Sequence, residues 1–163
     1  MYDLTKEEFE IKYKQYSQEL MNVSYGYTRN KEDSLDVIQN VFYKLFKYNK
    51  VFPTPADEKY WLLRVTINES KDLLRKRART TALDESRLNR LSQSSQTEQN
   101  TLELHFLAQK VKELPEKYRV VVILHYYDSL PIKEIVKILK ISENAVKKRL
   151  ERARNMLKKE MED

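Results

Sequence analysis

The sequence predicts an all-α protein of two small helical domains joined by a flexible linker, the C-terminal one a helix-turn-helix. The 163 residues include 1 glycine and 4 prolines and are rich in helix formers, and no alternating β-branched run is long enough to argue a sheet. Apolar residues instead recur at spacings of three and four along most of the chain. The exception is Thr80 to Thr101, whose SQSSQTEQN core has too little apolar surface to fold alone. The expected domains are therefore residues 1–79 and 102–163, with 80–101 as the linker.

The first two helices are expected at Lys6 to Tyr27 and Lys31 to Tyr48. In the second, Leu35, Ile38, Phe42 and Leu45 form the stripe that faces a core, which leaves Asp36, Gln39, Asn40 and Tyr43 outside. Pro53 and Pro55 then impose an extended or turned loop, with Phe52 in it near Tyr48 and Tyr60. A third helix, Asp57 to Arg79, is anchored by Trp61, Leu62, Val65, Leu73 and Leu74. It ends in Arg75, Lys76, Arg77 and Arg79, more cations than a helix dipole needs for its last turn. Asn68 stands out on this helix because an amide can form paired hydrogen bonds with a base edge.

Beyond the linker, helices are expected at Thr101 to Glu113, Pro115 to Tyr127, Pro131 to Leu139 and Ser142 to Met161. Val146, Leu150, Ala153 and Leu157 define the inward face of the last one, and Lys147, Lys148, Arg149, Arg152, Arg154, Lys158 and Lys159 make its other side basic. Ser142 is placed to cap its first turn and Glu143 suits its dipole. Ile135, Ile138 and Leu139 point inward from the preceding helix, and Ile141 locks the pair, as a two-helix DNA reader requires. Any solvated helix face can be basic. The second cationic segment at Arg75 to Arg79 is what turns the reading toward nucleic acid.

Charge is unevenly placed. Residues 1–58 hold 8 Lys and Arg against 10 Asp and Glu, whereas the other 105 residues hold 23 against 15 within a net charge of +6. That asymmetry suits a protein partner at the acidic end and phosphates elsewhere. With no cysteine, disulfides and thiolate sites are excluded, which fits a reducing compartment. No apolar run approaches a membrane span and the N-terminus lacks a signal peptide's apolar centre, so a cytoplasmic protein is expected. His105 and His125 lie in separate apolar patterns without ligand spacing, and there is neither a glycine-rich phosphate loop nor a paired-carboxylate constellation. Neither catalysis, a metal nor a cofactor is expected.

In order along the chain, these motifs resemble the extracytoplasmic-function group of bacterial sigma factors, within the sigma-70 family. DxxDxxQxxF stands at Asp33, Asp36, Gln39 and Phe42. WLxRxxxNxxxDLLRxRxR runs from Trp61 to Arg79, and a long LPxKYR to RLxRARxxL pattern runs from Leu114 to Leu157. The resemblance implies a helical domain that binds core RNA polymerase and opens the −10 promoter element, then a helix-turn-helix domain that reads the −35 element. It places Asp33, Asp36, Gln39, Asn40 and Tyr43 on the polymerase-binding helix. Phe52 and Asn68 fall where a flipped base is held, with Trp61, Arg64, Arg75, Lys76, Arg77 and Arg79 along the −10 DNA-binding helix. Ser142, Glu143, Asn144, Lys147, Lys148, Arg149, Glu151 and Arg152 fall at the −35 contact. An anti-sigma factor is an implied partner beside polymerase and promoter DNA.

The sequence departs from the family pattern at three places. Pro131 stands where Ser or Thr caps the helix before Glu134, Lys140 where glycine is common in the turn, and Asn144-Ala145 where Gly-Thr is frequent. The alternative from another class is a stand-alone helix-turn-helix regulator that binds duplex DNA without polymerase.

Overall fold

The computed structural model describes residues 5–48, 51–81 and 109–162, and among them all regular structure is helical. The chain divides into two compact units, Met1–Thr101 and Leu102–Asp163.

In the first unit α1 spans Lys6–Thr28, α2 Lys31–Tyr48 and α3 Pro55–Thr81. Each start is set by a local side chain. Thr5 Oγ1 accepts from the Glu8 amide at 3.2 Å and the Glu8 carboxylate accepts from the Thr5 amide at 3.1 Å, which forms a capping box. Asn30 accepts from the Asp33 amide at 3.2 Å to cap α2, directly after Arg29 ends α1 in the left-handed region. Thr54 Oγ1 accepts from the Asp57 amide at 3.2 Å and caps α3. That helix begins two residues before the expected Asp57. Pro55 occupies its first position, where the missing N–H would have had no helical partner, so the residue read as a breaker opens the helix.

The three helices pack on one another around Leu20, Val23, Ile38, Val41, Phe42, Leu62, Leu63 and Ile67, all essentially inaccessible. The α2 stripe is wider than expected, because Val37 and Val41 are buried while Leu35 is half-buried. Small hydroxyl residues line the α1–α3 contact. The Ser24 and Ser70 hydroxyls lie 3.0 Å apart, and Thr66 and Ser70 bond back to the carbonyls of Leu62 and Thr66, each at 2.7 Å.

Charged pairs fasten the helix ends. Lys12 and Tyr16 of α1 both reach Glu58 of α3, Tyr16 Oη donating at 3.0 Å, and Lys59 pairs with Glu19 at 2.9 Å. Burial, reinforced by the Glu58 carboxylate, pushes the Tyr16 phenol up to about 12.

The second unit contains α4, Gln109–Glu113; α5, Glu116–Val122; a π-helical turn, Ile123–Tyr127; α6, Ile132–Leu139; and α7, Glu143–Glu162. Its core joins Val121, Leu124, Ile135, Ile138, Val146, Leu150 and Ala153. The buried Arg119 guanidinium donates to the Leu114 carbonyl at 2.6 Å and closes the turn between α4 and α5. The expected helix Pro115 to Tyr127 runs unbroken from Glu116 to Tyr127, with its last stretch, Ile123–Tyr127, wound as a π-helix. The Asp128 amide bonds to the Ile123 carbonyl at 2.9 Å, which widens the last turn, and His125 Nδ1 lies 2.9 Å from the Leu130 carbonyl oxygen.

Residues 101–108 of the expected helix Thr101 to Glu113 lie outside the described residues. So does most of the linker read at 80–101; its first two residues, Thr80 and Thr81, end α3. No described helix is long and apolar enough to cross a membrane.

Candidate nucleic-acid interface and partner face

On α2, Asp36, Gln39, Asn40 and Tyr43 share the exposed side, and Tyr43 leaves 61% of its surface open. Asp33 does not join them. It is buried on the edge of the inward stripe, four residues before Val37, where it forms an ion pair with Arg77 of α3. Burial raises its carboxyl above the usual range, against the opposing pull of Arg77.

Arg77 faces inward for a reason visible in the spacing. It follows Leu63 and Ser70 at intervals of seven, and both are buried, so the same side of α3 turns Arg77 toward α2. The four expected cations at the end of α3 therefore divide. Arg75, Lys76 and Arg79 are exposed, and Arg75 pairs with Asp72 at 2.6 Å. Trp61, Arg64, Asn68, Arg75 and Arg79 recur at three, four, seven and four residues and form one stripe. Asn68 is exposed, whereas Trp61 and Arg64 are half-buried.

Phe52 folds onto the start of this stripe. Its ring centroid lies 5.7 Å from that of Trp61 at 54°, and both rings are half-buried. Thr54 and Pro55 hold the chain between them, so the aromatic pair is fixed by the helix start. Sequence reasoning missed Lys44 and Glu69, which pair beside Tyr43 and Asn68 and fasten α2 to α3. The Glu69 carboxylate also raises the Lys44 ammonium above its usual range.

In the second unit Pro131 gives α6 no side-chain cap, as its ring chemistry dictates. Lys140 ends α6 in the left-handed region at φ 57° and ψ 43°, and its amide bonds to the Val136 carbonyl at 2.9 Å. After it, Ser142 Oγ accepts from the Ala145 amide at 3.0 Å and caps α7. Val146, Leu150 and Ala153 are buried, which drives Asn144, Lys147, Lys148, Glu151 and Arg152 outward, with Arg149 half-buried at the margin. Lys147 pairs with Glu143 at 3.3 Å on the exposed surface. A short helix, a left-handed turn and a capped, longer second helix with a polar outer face make a helix-turn-helix of the kind that lies in a major groove.

A helical unit with an outward amide–aromatic stripe, followed by a helix-turn-helix unit, has the form of a two-part helical protein of the DNA-binding class. The Sigma-70 region 2 family model matches residues 13–80 and the Sigma-70, region 4 model matches residues 107–157, so the chain belongs to the sigma-70 family. Within it the chain falls in the extracytoplasmic-function group of RNA polymerase sigma factors, which are transcription initiation factors. It is 26% identical to the RNA polymerase sigma factor SigV of Bacillus subtilis over 143 residues, 88% of this chain and 84% of that protein. It is 29% identical to the ECF RNA polymerase sigma factor SigW of the same organism over 160 residues, covering 91% and 86%. The fold matches the sigma factor RpoE of Bartonella quintana, solved with the anti-sigma factor NepR, at a TM-score of 0.71 and 19% identity over 94% of this chain and 96% of that one.

Proposed function

We propose that this sigma factor binds core RNA polymerase through the exposed side of α2, holds one unstacked base of the −10 element between Phe52 and Asn68, and reads the −35 element with α7. The observation that carries the reading is the outward polar side of α7, held by an apolar opposite side and introduced by the Lys140 turn and Ser142 cap. Lys147, Lys148 and Glu151 contact base edges, and Arg149 and Arg152 contact phosphates.

On α2, Asp36, Gln39, Asn40 and Tyr43 form the contact with polymerase. Asp33 and Arg77 support this surface from behind, because their ion pair fastens α2 to α3. For the −10 element, Trp61 backs Phe52 while Arg75, Lys76 and Arg79 meet the strand backbone. The RpoE complex with NepR supports an anti-sigma factor as a further partner.

Purified chain mixed with core polymerase and a promoter library tests the reading. Initiation from discrete sites, lost with Asp36→Ala and Gln39→Ala combined, is the expected result. Duplex binding by the chain alone, with no affinity for polymerase, would instead establish the stand-alone regulator.

A further inference from the structure

We infer that Arg154, held by Tyr126, is a preset contact for a DNA backbone phosphate on one flank of the reading helix. The inference rests on α7 being the duplex reader. Arg154 Nη1 donates to the Tyr126 hydroxyl at 2.7 Å, between the C-terminal half of α7 and the π-helical turn. Both side chains are exposed, and Tyr126 keeps half of its surface open.

What distinguishes this arginine is the charge of its partner. Arg77 is held by Asp33, Arg75 by Asp72 and Lys147 by Glu143, so each of those cations is offset by a carboxylate. Tyr126 is neutral. It restrains the guanidinium without cancelling its charge, and a guanidinium has five N–H donors, enough to serve the phenol and still present a pair to phosphate oxygens. Ordering a long side chain before binding removes part of the entropy cost of the contact.

Position along α7 supports the same use. Arg154 follows Lys147 by seven residues and so stands on the same flank two turns further on, beside the outward side formed by Asn144, Lys148 and Glu151. A helix lying in the major groove turns such flanks toward the backbones that border the groove. The other flank carries Arg152. There the Arg152 guanidinium and Lys117 ammonium hold the Tyr118 phenol below its usual range.

Tyr126 is accordingly a positioning residue and Arg154 the binding residue. The π-helical turn supplies the link, since it begins with the buried Ile123 and Leu124, ties His125 to the Leu130 carbonyl and brings Tyr126 to α7.

The test uses holoenzyme assembled from the full chain and core polymerase, with the pool of duplex sites that wild-type holoenzyme selects from a random library as probe. Arg154→Ala should weaken binding to the pool about tenfold, leave the selected −35 sequence unchanged, and reduce the salt slope by about one. Tyr126→Phe keeps the ring and the charge, so it should weaken binding about twofold with an unchanged slope. Arg154→Lys should also keep the slope, and matched thermal melting shows that each variant folds. If Lys148→Ala impairs binding while folded Arg154→Ala matches wild type in affinity and slope, this inference is overturned and the reading of α7 stands. If neither variant has an effect, or wild-type holoenzyme selects no sites, both are overturned.

Discussion

The ends of α3 and α7 are both rich in arginine and lysine, yet the two helices restrain their charge differently. On α3 the cations are interleaved with acids and with neutral groups: Arg77 is turned inward onto Asp33, and Arg75, on the stripe with Trp61 and Asn68, is paired with Asp72. On α7 the outward side is almost wholly polar and charged, and Arg154 is held by a phenol. A surface that holds one unstacked base gains more from fixed shape, whereas a surface that meets duplex DNA gains from charge kept available to phosphates. Count of basic residues alone therefore does not distinguish the two proposed uses.

The largest expected effect breaks the α7 side of this contrast. Leu150 is 1% exposed between Val146 and Ala153, and Leu150→Ala should destabilise the second unit by about 3 kcal/mol through the cavity it leaves. Differential scanning calorimetry should show the transition assigned to this unit moving down while that of the first unit stays in place. A shift of both transitions together would mean that the units do not melt separately.

Next is the α3 side. Phe52→Ala and Asn68→Ala should each lower promoter opening by about 1 to 2 kcal/mol, read as permanganate reactivity of unpaired thymines, while polymerase affinity is kept. Normal opening by both folded variants rejects the base pocket. A comparison within the same helix end sharpens it. Arg77→Ala should destabilise the first unit by about 2 kcal/mol, less than a fully buried pair because Arg77 is partly exposed. Arg75→Ala should change stability by less than about 0.5 kcal/mol and act on DNA instead. Equal melting points for the two variants would remove the distinction drawn between them.

Much of this was legible in the sequence. Among the described residues, the helices and the stripes of α2 and α7 followed from spacing and the Ser142 cap from its place before the last helix, while the left-handed Lys140 followed from the family resemblance, in which glycine is common there. What periodicity missed were polar residues on apolar sides. Asp33 and Arg77 look like members of exposed charged runs, yet the heptad Leu63, Ser70, Arg77 already aims the arginine inward; only packing tells which partner meets it. The π-helical turn has no comparable signal in ILHYYD, and the Tyr126–Arg154 bond depends on it.

Lys140→Gly tests a smaller term. A left-handed backbone costs a residue with a Cβ about 1 kcal/mol, so glycine should raise the stability of the second unit by about that amount in urea unfolding, with the denaturant slope unchanged. No gain would mean that the Lys140 side chain makes an offsetting contact.

The smallest expected effect is the pH response of Asp33. Its carboxyl is raised above the ordinary 3.8, first by burial and against the pull of Arg77, so the folded state binds its proton more tightly than the unfolded state does. The sign follows from linkage: the stabilisation due to this group is fully present below the ordinary value and is lost as pH rises through the raised one. Asp33→Asn retains an oxygen that accepts from Arg77 but cannot ionise. Measured from pH about 3.8 upward, its stability should therefore lack the downward contribution that wild type shows in that window, while losing ion-pair attraction above it. The difference between the two curves isolates Asp33 because the other carboxylates are common to both proteins. A wild-type curve that rises relative to Asp33→Asn across the window would place the folded pKa below 3.8 and make Arg77, not burial, the dominant influence on this carboxyl.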